Sequence, residues 1–358
     1  MPETLVFLPH AISGAHTWGF VKVKVLSVES YGLFVGKKGD RFIVSRKGSK
    51  LLEVPAGNVS LIRLSSRGVS ASMDVIKLAL KYNIPVIIVG KNGRPIGVFY
   101  PFEYKGIVEL RKKQYIAQDG ERAADIARML VIAKISNQMR LLRYVLRNWR
   151  KLDSLVVAKI SGAIEELKGF IVKASASVYS SVDVAREKSM SFEALAAQAY
   201  WKAFSYLIPE EYGFEGRVKR GACDVVNMLL NYGYAILSGI CWLAIFRVGL
   251  DPWAGFLHLN SQRRPGLVYD LMEPFRAPIV DYVVLDLVRR GIRFGVNEEC
   301  MLDGDSRRRL SESLHERFRN IVSVSGRRIT FEDAVLLQAR WVADYIAGRR
   351  GRFKVFLW

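Results

Sequence analysis

Hydrophobic and polar positions change their rhythm once along the chain. Over residues 1–100, apolar residues alternate with polar ones or gather in short runs between turn signals. Val21-Lys22-Val23-Lys24-Val25 has period two, the pattern of a half-buried strand. Leu33-Phe34-Val35, Arg41-Phe42-Ile43-Val44 and Val59-Ser60-Leu61-Ile62-Arg63-Leu64 read as further strands. Tyr31-Gly32, Gly36-Lys37-Lys38-Gly39-Asp40, Lys47-Gly48 and Pro55-Ala56-Gly57-Asn58 separate them as turns. Residues 70–82 are predicted to be helical, with Ser70 or Ser72 as cap and Val75, Leu78, Ala79 and Tyr82 on the apolar face. Pro85-Val86-Ile87-Ile88-Val89 is a short buried strand, stopped by Gly90-Lys91-Asn92-Gly93.

From about Glu109 the apolar spacing lengthens to that of helices. Between Arg122 and Trp149 the apolar positions are Ile126, Met129, Leu130, Ala133, Met139, Leu142, Val145 and Leu146, with basic residues over much of the rest. Further helices are predicted over 155–167, 191–204, 224–248, 277–290 and 331–348. The expected fold class is α+β: a small N-terminal β-strand domain over 1–100, a linker over 101–108 bearing Pro101 and Gly106, and a larger all-α domain over 109–358. A length of 358 residues suits two or three domains. Residues 1–20 receive no assignment beyond an early strand or an oligomer contact.

Met228–Phe246 carries no charge and approaches the length of a membrane span. Asn231, Ser238, Gly233 and Gly239 within it, and Asp224 and Arg247 beside it, favour a buried core helix instead. Met1–His10 lacks a basic stretch leading into an apolar run, so a cytoplasmic protein without a membrane partner is expected. The cysteines are three, Cys223, Cys241 and Cys300. They are odd in number, widely spaced and without a C-x-x-C pair, which reads as no disulfide framework and a reducing compartment.

The formal net charge is +20, which favours a polyanionic partner, nucleic acid first and an acidic membrane surface second. Arg307-Arg308-Arg309 and Arg349-Arg350-Gly351-Arg352 are basic clusters that either track phosphates or form a solvated face. Neither glycine-rich turn continues into G-K-[ST] or opens a βαβ unit, so a P-loop motor is unsupported. An α/β-hydrolase has no G-x-S-x-G to rest on.

Among His10, His16, His258 and His315, only His258 lies in a dense segment of candidate ligands, between Gly249 and Arg276. A histidine next to Phe256 and Leu257 can simply be packed. Asp270 and Glu273 are three apart and share a face in a helical turn. Pro274 suits the start of the next helix, where Glu273 could act merely as a cap. A cap explains one acid. It does not explain two acids, a histidine and Arg263, Arg264 and Arg276 in one short stretch. Two carboxylates and an imidazole suit Mg²⁺ or Mn²⁺, and Zn²⁺ is not excluded. The arginines suit phosphate. Metal-assisted attack on a phosphodiester fits both halves.

These residues resemble the CRISPR-associated protein 1 family, whose pattern G-L-D-P-x-x-G-F-L-H followed by R-P-S-L-V-Y-D-L-M-E-P-F-R is matched by Gly249–His258 and Arg264–Arg276, with Gly266 in place of Ser. The resemblance extends to Asp224–Tyr234, Ser30-Tyr31-Gly32, Ser70–Tyr82 and Gly93-Arg94-Pro95-Ile96-Gly97, and so spans most of the chain. The family's helix patterned E-G-x-A-A-R-x-Y-W is similar to Glu193–Trp201, with Ala194 for Gly and Gln198 for Arg. That departure puts one phosphate or supporting contact in doubt. The resemblance implies catalytic metal ligands Glu193, His258 and Glu273, with Asp270 as a supporting or alternative ligand. Arg263, Arg264 and Arg276 become candidate DNA phosphate contacts. It further implies a dimerising N-terminal domain, a catalytic α-helical domain over 109–358, and Mg²⁺- or Mn²⁺-dependent cleavage and transesterification of double-stranded, branched or nicked DNA in spacer acquisition. CRISPR-associated protein 2 would be the partner of the homodimer. Two other readings stand beside it: a non-catalytic basic scaffold of the same fold that binds nucleic acid, and a membrane protein built on Met228–Phe246.

Overall fold

A computed structural model of the chain describes residues 6–7, 25–28, 30–59, 61–65, 68–90, 95–100, 107–149, 152–177, 181–219, 221–259, 264–298 and 300–358. The chain divides into two compact units, Met1–Lys105 and Gly106–Trp358. In the first, the strands are β1 (Val6–Phe7), β2 (Val25–Val28), β3 (Leu33–Lys38), β4 (Arg41–Arg46), β5 (Ser49–Pro55), β6 (Leu61–Ser65), β7 (Val69–Ala71), β8 (Val86–Val89) and β9 (Pro95–Phe99). One helix, α1 (Met73–Lys81), interrupts them. They form a five-stranded sheet in the order β1-β2-β6-β8-β9 and a four-stranded sheet in the order β5-β4-β3-β7. β2, β6 and β8 run parallel, with antiparallel β1 and β9 at the edges. Leu26, Val28, Val35, Phe42, Val44, Ile62, Val75 and Ala79 fill the core.

Of the predicted first strand only Val25 falls among the described residues, as the start of β2; residues 21–24 lie outside them, as do residues 8–20 and the turn residues 91–93. Gly39 and Asp40 make the turn that joins β3 to β4. Ser72 takes the cap position of α1, whereas Ser70 belongs to β7.

The second unit is built from helices α2 (Ile107–Ala117), α3 (Glu121–Asn148), α4 (Ser154–Ala176), α5 (Val182–Ser205), α6 (Val225–Val248) and α7 (Gly266–Met272). A 3₁₀ turn, Glu273–Phe275, and a π-helical stretch, Arg276–Asp281, lead from α7 into α8 (Tyr282–Arg289). Then follow α9 (Gly304–Arg319), the hairpin strands β10 (Ile321–Val324) and β11 (Arg327–Thr330), and α10 (Phe331–Ile346). Of the expected linker, residues 101–106 lie outside the described residues, and Ile107 and Val108 already belong to α2.

Side-chain caps fix several helix starts: Asp153 accepts from Leu155 N, Ser181 from Val184 N, Asp224 from Asn227 N and Thr330 from Asp333 N. Each replaces a hydrogen bond that the first helical turn lacks. The hairpin and α9 went unrecognised in the hydrophobic pattern. The signal for the hairpin was the pair Ser325-Gly326, both left-handed at φ 50° and 77°, as a two-residue turn matched to strand twist requires.

α6 is long and apolar enough to cross a membrane by length and composition, and 78% of its apolar window is buried within the protein. Its apolar surface is covered by the other helices, as expected of a core helix. The reading of the cysteines needs correction. Cys223, just before α6, and Cys300, just before α9, form a disulfide across a separation of 77 residues, while Cys241 is free and buried in α6. Spacing along the chain could not reveal it, because the helices between the two cysteines bring them together.

Candidate active site

The site is assembled from α3, α5, the segment after α6, and the end of α7. Glu193 lies on α5 and Lys134 on α3; their side chains are 19% and 11% exposed and joined by an ion pair. Glu273 opens the 3₁₀ turn, 3% exposed, with Oε2 2.6 Å from the same Lys134 Nζ. Arg276, one turn on, donates from Nε to Glu273 Oε1 at 3.0 Å and lies over the Tyr234 ring at 4.7 Å. Burial by itself would raise the Glu273 carboxyl. The charges of Arg276, Lys134 and His258 outweigh it and hold the group well below the usual carboxylate range. Burial would likewise lower the Lys134 ammonium, but Glu273 and Glu193 overcome it and raise the group.

His258 is positioned by backbone as much as by side chains. The loop after α6 begins at the left-handed Gly249 (φ 88°) and is fastened to α2 and α5. Gln114 Nε2 donates to Asp251 O and Ala254 O, both at 2.8 Å, and Gln118 Nε2 to Gly255 O at 2.6 Å. Arg186 Nε donates to Phe256 O at 2.8 Å. Asp270, fully buried on α7, then gathers the end of the loop. It accepts from the backbone N–H groups of Phe256, Leu257 and His258 at 2.5, 3.0 and 2.9 Å, and from His258 Nδ1 at 2.7 Å. That fixes the ring and leaves Nε2 as the nitrogen available to a ligand. Burial lowers the imidazole, but the Asp270 hydrogen bond and the charges of Asp270, Glu273 and Glu193 raise it overall. His258 therefore stands within electrostatic reach of both glutamates.

Two glycines allow this crossing. A Cβ at Gly255 would stand 2.2 Å from His258 O, and one at Gly266 would stand 2.3 Å from it. Backbone on both sides cannot give way as a flexible side chain could. Gly255→Ala is accordingly expected to destabilise the protein by about 1–3 kcal/mol, the usual range for overpacking. Denaturant unfolding would measure this, and an unchanged midpoint would contradict the tight crossing.

A second buried group lies behind the first. Asp281, at the end of the π-helical stretch, accepts from Tyr200 Oη at 2.8 Å and from Tyr234 Oη at 2.5 Å. Burial raises this carboxyl despite the two donors, and it pushes both phenols well up. Nothing in the sequence motif singled out Asp281 or Lys134.

Among the described residues, no three of His, Cys, Asp and Glu already surround one point. The three expected ligands instead stand as two glutamates sharing the Lys134 ammonium, with His258 beside them on Asp270. The donor set nevertheless fits a hard divalent cation. Two carboxylates converge on one positive charge, and the buried Glu273 Oε2 has that ion pair but no well-angled hydrogen bond. Of the arginines expected to meet phosphate, Arg264 is exposed, Arg276 is paired with Glu273, and Arg263 lies outside the described residues. In the basic clusters, Arg308 pairs with Asp305 at 3.1 Å, and Arg349 and Arg350 pair with Asp344 at 2.8 and 3.4 Å.

The family model described as "CRISPR associated protein Cas1" matches residues 26–316. A curated relative from Archaeoglobus fulgidus, named a CRISPR-associated endonuclease Cas1, is 35% identical over 351 residues, covering 93% of this chain and 99% of the relative. Two solved structures are similar in fold. One is a casposase bound to its integration product, with TM-score 0.75, 24% identity, and 92% of each chain covered. The other is a Cas6-RT-Cas1–Cas2 complex, with TM-score 0.75, 20% identity, 96% of this chain covered and 37% of that one.

Proposed function

The chain belongs to the CRISPR-associated Cas1 family, and from that premise we propose that it is a divalent-metal-dependent DNA endonuclease and integrase of spacer acquisition. The observation that carries the metal and its place is the convergence of Glu193 and Glu273, from distant parts of the chain, on one cation within reach of His258. Glu193, Glu273 and His258 Nε2 are the groups that would hold Mg²⁺ or Mn²⁺. When bound, such an ion supplies charge at the phosphoryl oxygen and lowers the pKa of a coordinated nucleophile.

The chain's own residues supply the rest. Asp270 accepts the Nδ1 proton of His258 and fixes the ring plane, so that in the neutral imidazole the lone pair lies on Nε2, toward its ligand. Arg276 neutralises Glu273 from the side opposite Lys134, which allows a carboxylate to remain ionised where water is excluded. In joining, a DNA 3′-hydroxyl attacks a phosphodiester phosphorus. One P–O bond forms, the bond to the leaving 3′-oxygen breaks, and the proton lost by the attacking oxygen ends on the leaving one. In cutting, water takes the place of the hydroxyl.

Backbone phosphates would dominate affinity, so binding of double-stranded, branched or nicked DNA falls steeply with salt. The name of the Cas6-RT-Cas1–Cas2 complex among its fold relatives supports CRISPR-associated protein 2 as a partner, and the proposal includes a homodimer within that larger complex, acting in the cytoplasm.

The test is a nicking and strand-transfer assay on branched and supercoiled DNA with Mg²⁺, Mn²⁺ or EDTA, comparing the natural chain with His258→Ala. Activity is expected to require the metal and to fall by at least about a hundredfold in the variant, beyond the loss from a merely supporting group. DNA binding should persist. Binding by both proteins with no cutting or joining under any metal would replace the enzyme with a scaffold.

A further inference from the structure

Lys134 belongs to no motif that carries the proposed chemistry, yet its ammonium sits where the two glutamates meet. Its Nζ is hydrogen bonded to Glu193 Oε1 and lies 2.6 Å from Glu273 Oε2. The side chain is 11% exposed. A lysine held this deep gives up hydration and the rotamer freedom of a long side chain. It stays only because two carboxylates converge on it.

With Arg276 on Glu273, the four side chains carry two negative and two positive charges and sum to zero. A divalent cation added to that set would leave an excess of two positive charges in a site screened from water. If the ammonium leaves, the excess falls to one. An ammonium and a metal ion also cannot share one point between the same oxygens. The flexible four-carbon stem of lysine lets its charge swing away while α3 stays in place, as a planar, forked arginine could not do as readily.

We propose that Lys134 is a built-in placeholder: it occupies the cation position in the metal-free protein, keeps Glu193 and Glu273 together, and is displaced by the divalent ion. This rests on the metal reading above and adds to it a competitor within the chain itself. Metal affinity is then set partly by how firmly the lysine is held.

The experiment is calorimetric titration of MnCl₂ into the natural chain, Lys134→Met, Lys134→Arg and Glu273→Gln, with thermal unfolding of each in EDTA. Lys134→Met should bind Mn²⁺ about tenfold more tightly, within the usual range of coupling between two ligands, while melting lower in EDTA. Lys134→Arg should bind Mn²⁺ more weakly than the natural chain. A measurement on the natural chain alone covers the case in which Lys134→Met does not fold. Acetylation of lysines, read by mass spectrometry, should reach Lys134 slowly in EDTA and several-fold faster in saturating Mn²⁺.

Equal or weaker Mn²⁺ binding by a folded Lys134→Met, or a Lys134 acetylation rate that Mn²⁺ leaves unchanged, would overturn the placeholder and leave the metal site standing. If neither the natural chain nor a folded Lys134→Met binds Mn²⁺, or Glu273→Gln binds it as well as the natural chain, the metal site itself falls, and the placeholder falls with it.

Discussion

Glu273→Gln is expected to lower strand cutting and joining by more than about a hundredfold, the upper figure for losing a group that only supports a ligand, and to destabilise the metal-free protein in the same stroke. The two effects share a cause. The substitution keeps the shape of the side chain and removes its charge. Lys134 and Arg276 then face an amide in a position that is 3% exposed. Removing one partner of a buried pair costs about 3–5 kcal/mol, because the remaining charge stays desolvated. Thermal unfolding in EDTA and the nicking assay would be run on the same preparation. Full activity in a folded variant would show that Glu273 is not a ligand. Lost activity with an unchanged melting temperature would show that its ion pairs do not stabilise the fold.

The second large effect concerns stability alone. Reduction of Cys223–Cys300, or Cys300→Ser, should lower the melting temperature by about 10 °C. The link closes 77 residues, and the loop-entropy relation gives about 4 kcal/mol for a closure of that length. A unit of this size shifts its melting temperature by roughly 2–4 °C per kcal/mol. Cys241 provides no alternative partner: it is buried, and burial pushes its thiol far up, out of the reactive thiolate form. Scanning calorimetry with and without a phosphine reductant would decide it. Coincident transitions would mean that the link constrains the unfolded chain little. The disulfide also removes the ground on which a reducing compartment was expected.

The sequence carried the site in unequal parts. His258, Asp270 and Glu273 were legible because they stand in a long, uncommon motif whose spacing ties acids to an imidazole, whereas Glu193 came only from the family resemblance, through a separate helix pattern. The order of strands before helices was legible because the apolar period changes from about two to about 3.6 near residue 100. Asp270 was expected as a supporting or alternative ligand, and its position under three backbone N–H groups and the His258 ring shows how it supports the histidine.

Lys134 was hidden by its type, since a lysine in a basic helix suggests a solvated face. A sharper signal was available. Ile126, Leu130, Lys134, Asn137 and Leu141 follow helical spacing down one face of α3, and all five are buried. Polar residues interrupting an apolar stripe mark groups with an internal partner. Asn137 confirms the rule, since its Nδ2 donates to Pro274 O at 2.6 Å, directly behind Glu273. The Cys223–Cys300 link had no such signal, because contact across that separation is a property of the fold and not of any local pattern.

The π-helical stretch from Arg276 to Asp281 makes the ancestry of this segment readable. Such a stretch holds one residue more than the same length of α-helix, and each residue of an α-helix turns by about 100°. Loss of a single residue between Glu273 and Tyr282 would let the segment close into ordinary α geometry. The wide turn takes up the extra residue locally, so the positions after it would keep their facing and the acid would still meet Tyr200 and Tyr234. A related chain one residue shorter here should therefore keep both tyrosines and carry its acid one place earlier. The gap alone would leave the aromatic pair unchanged.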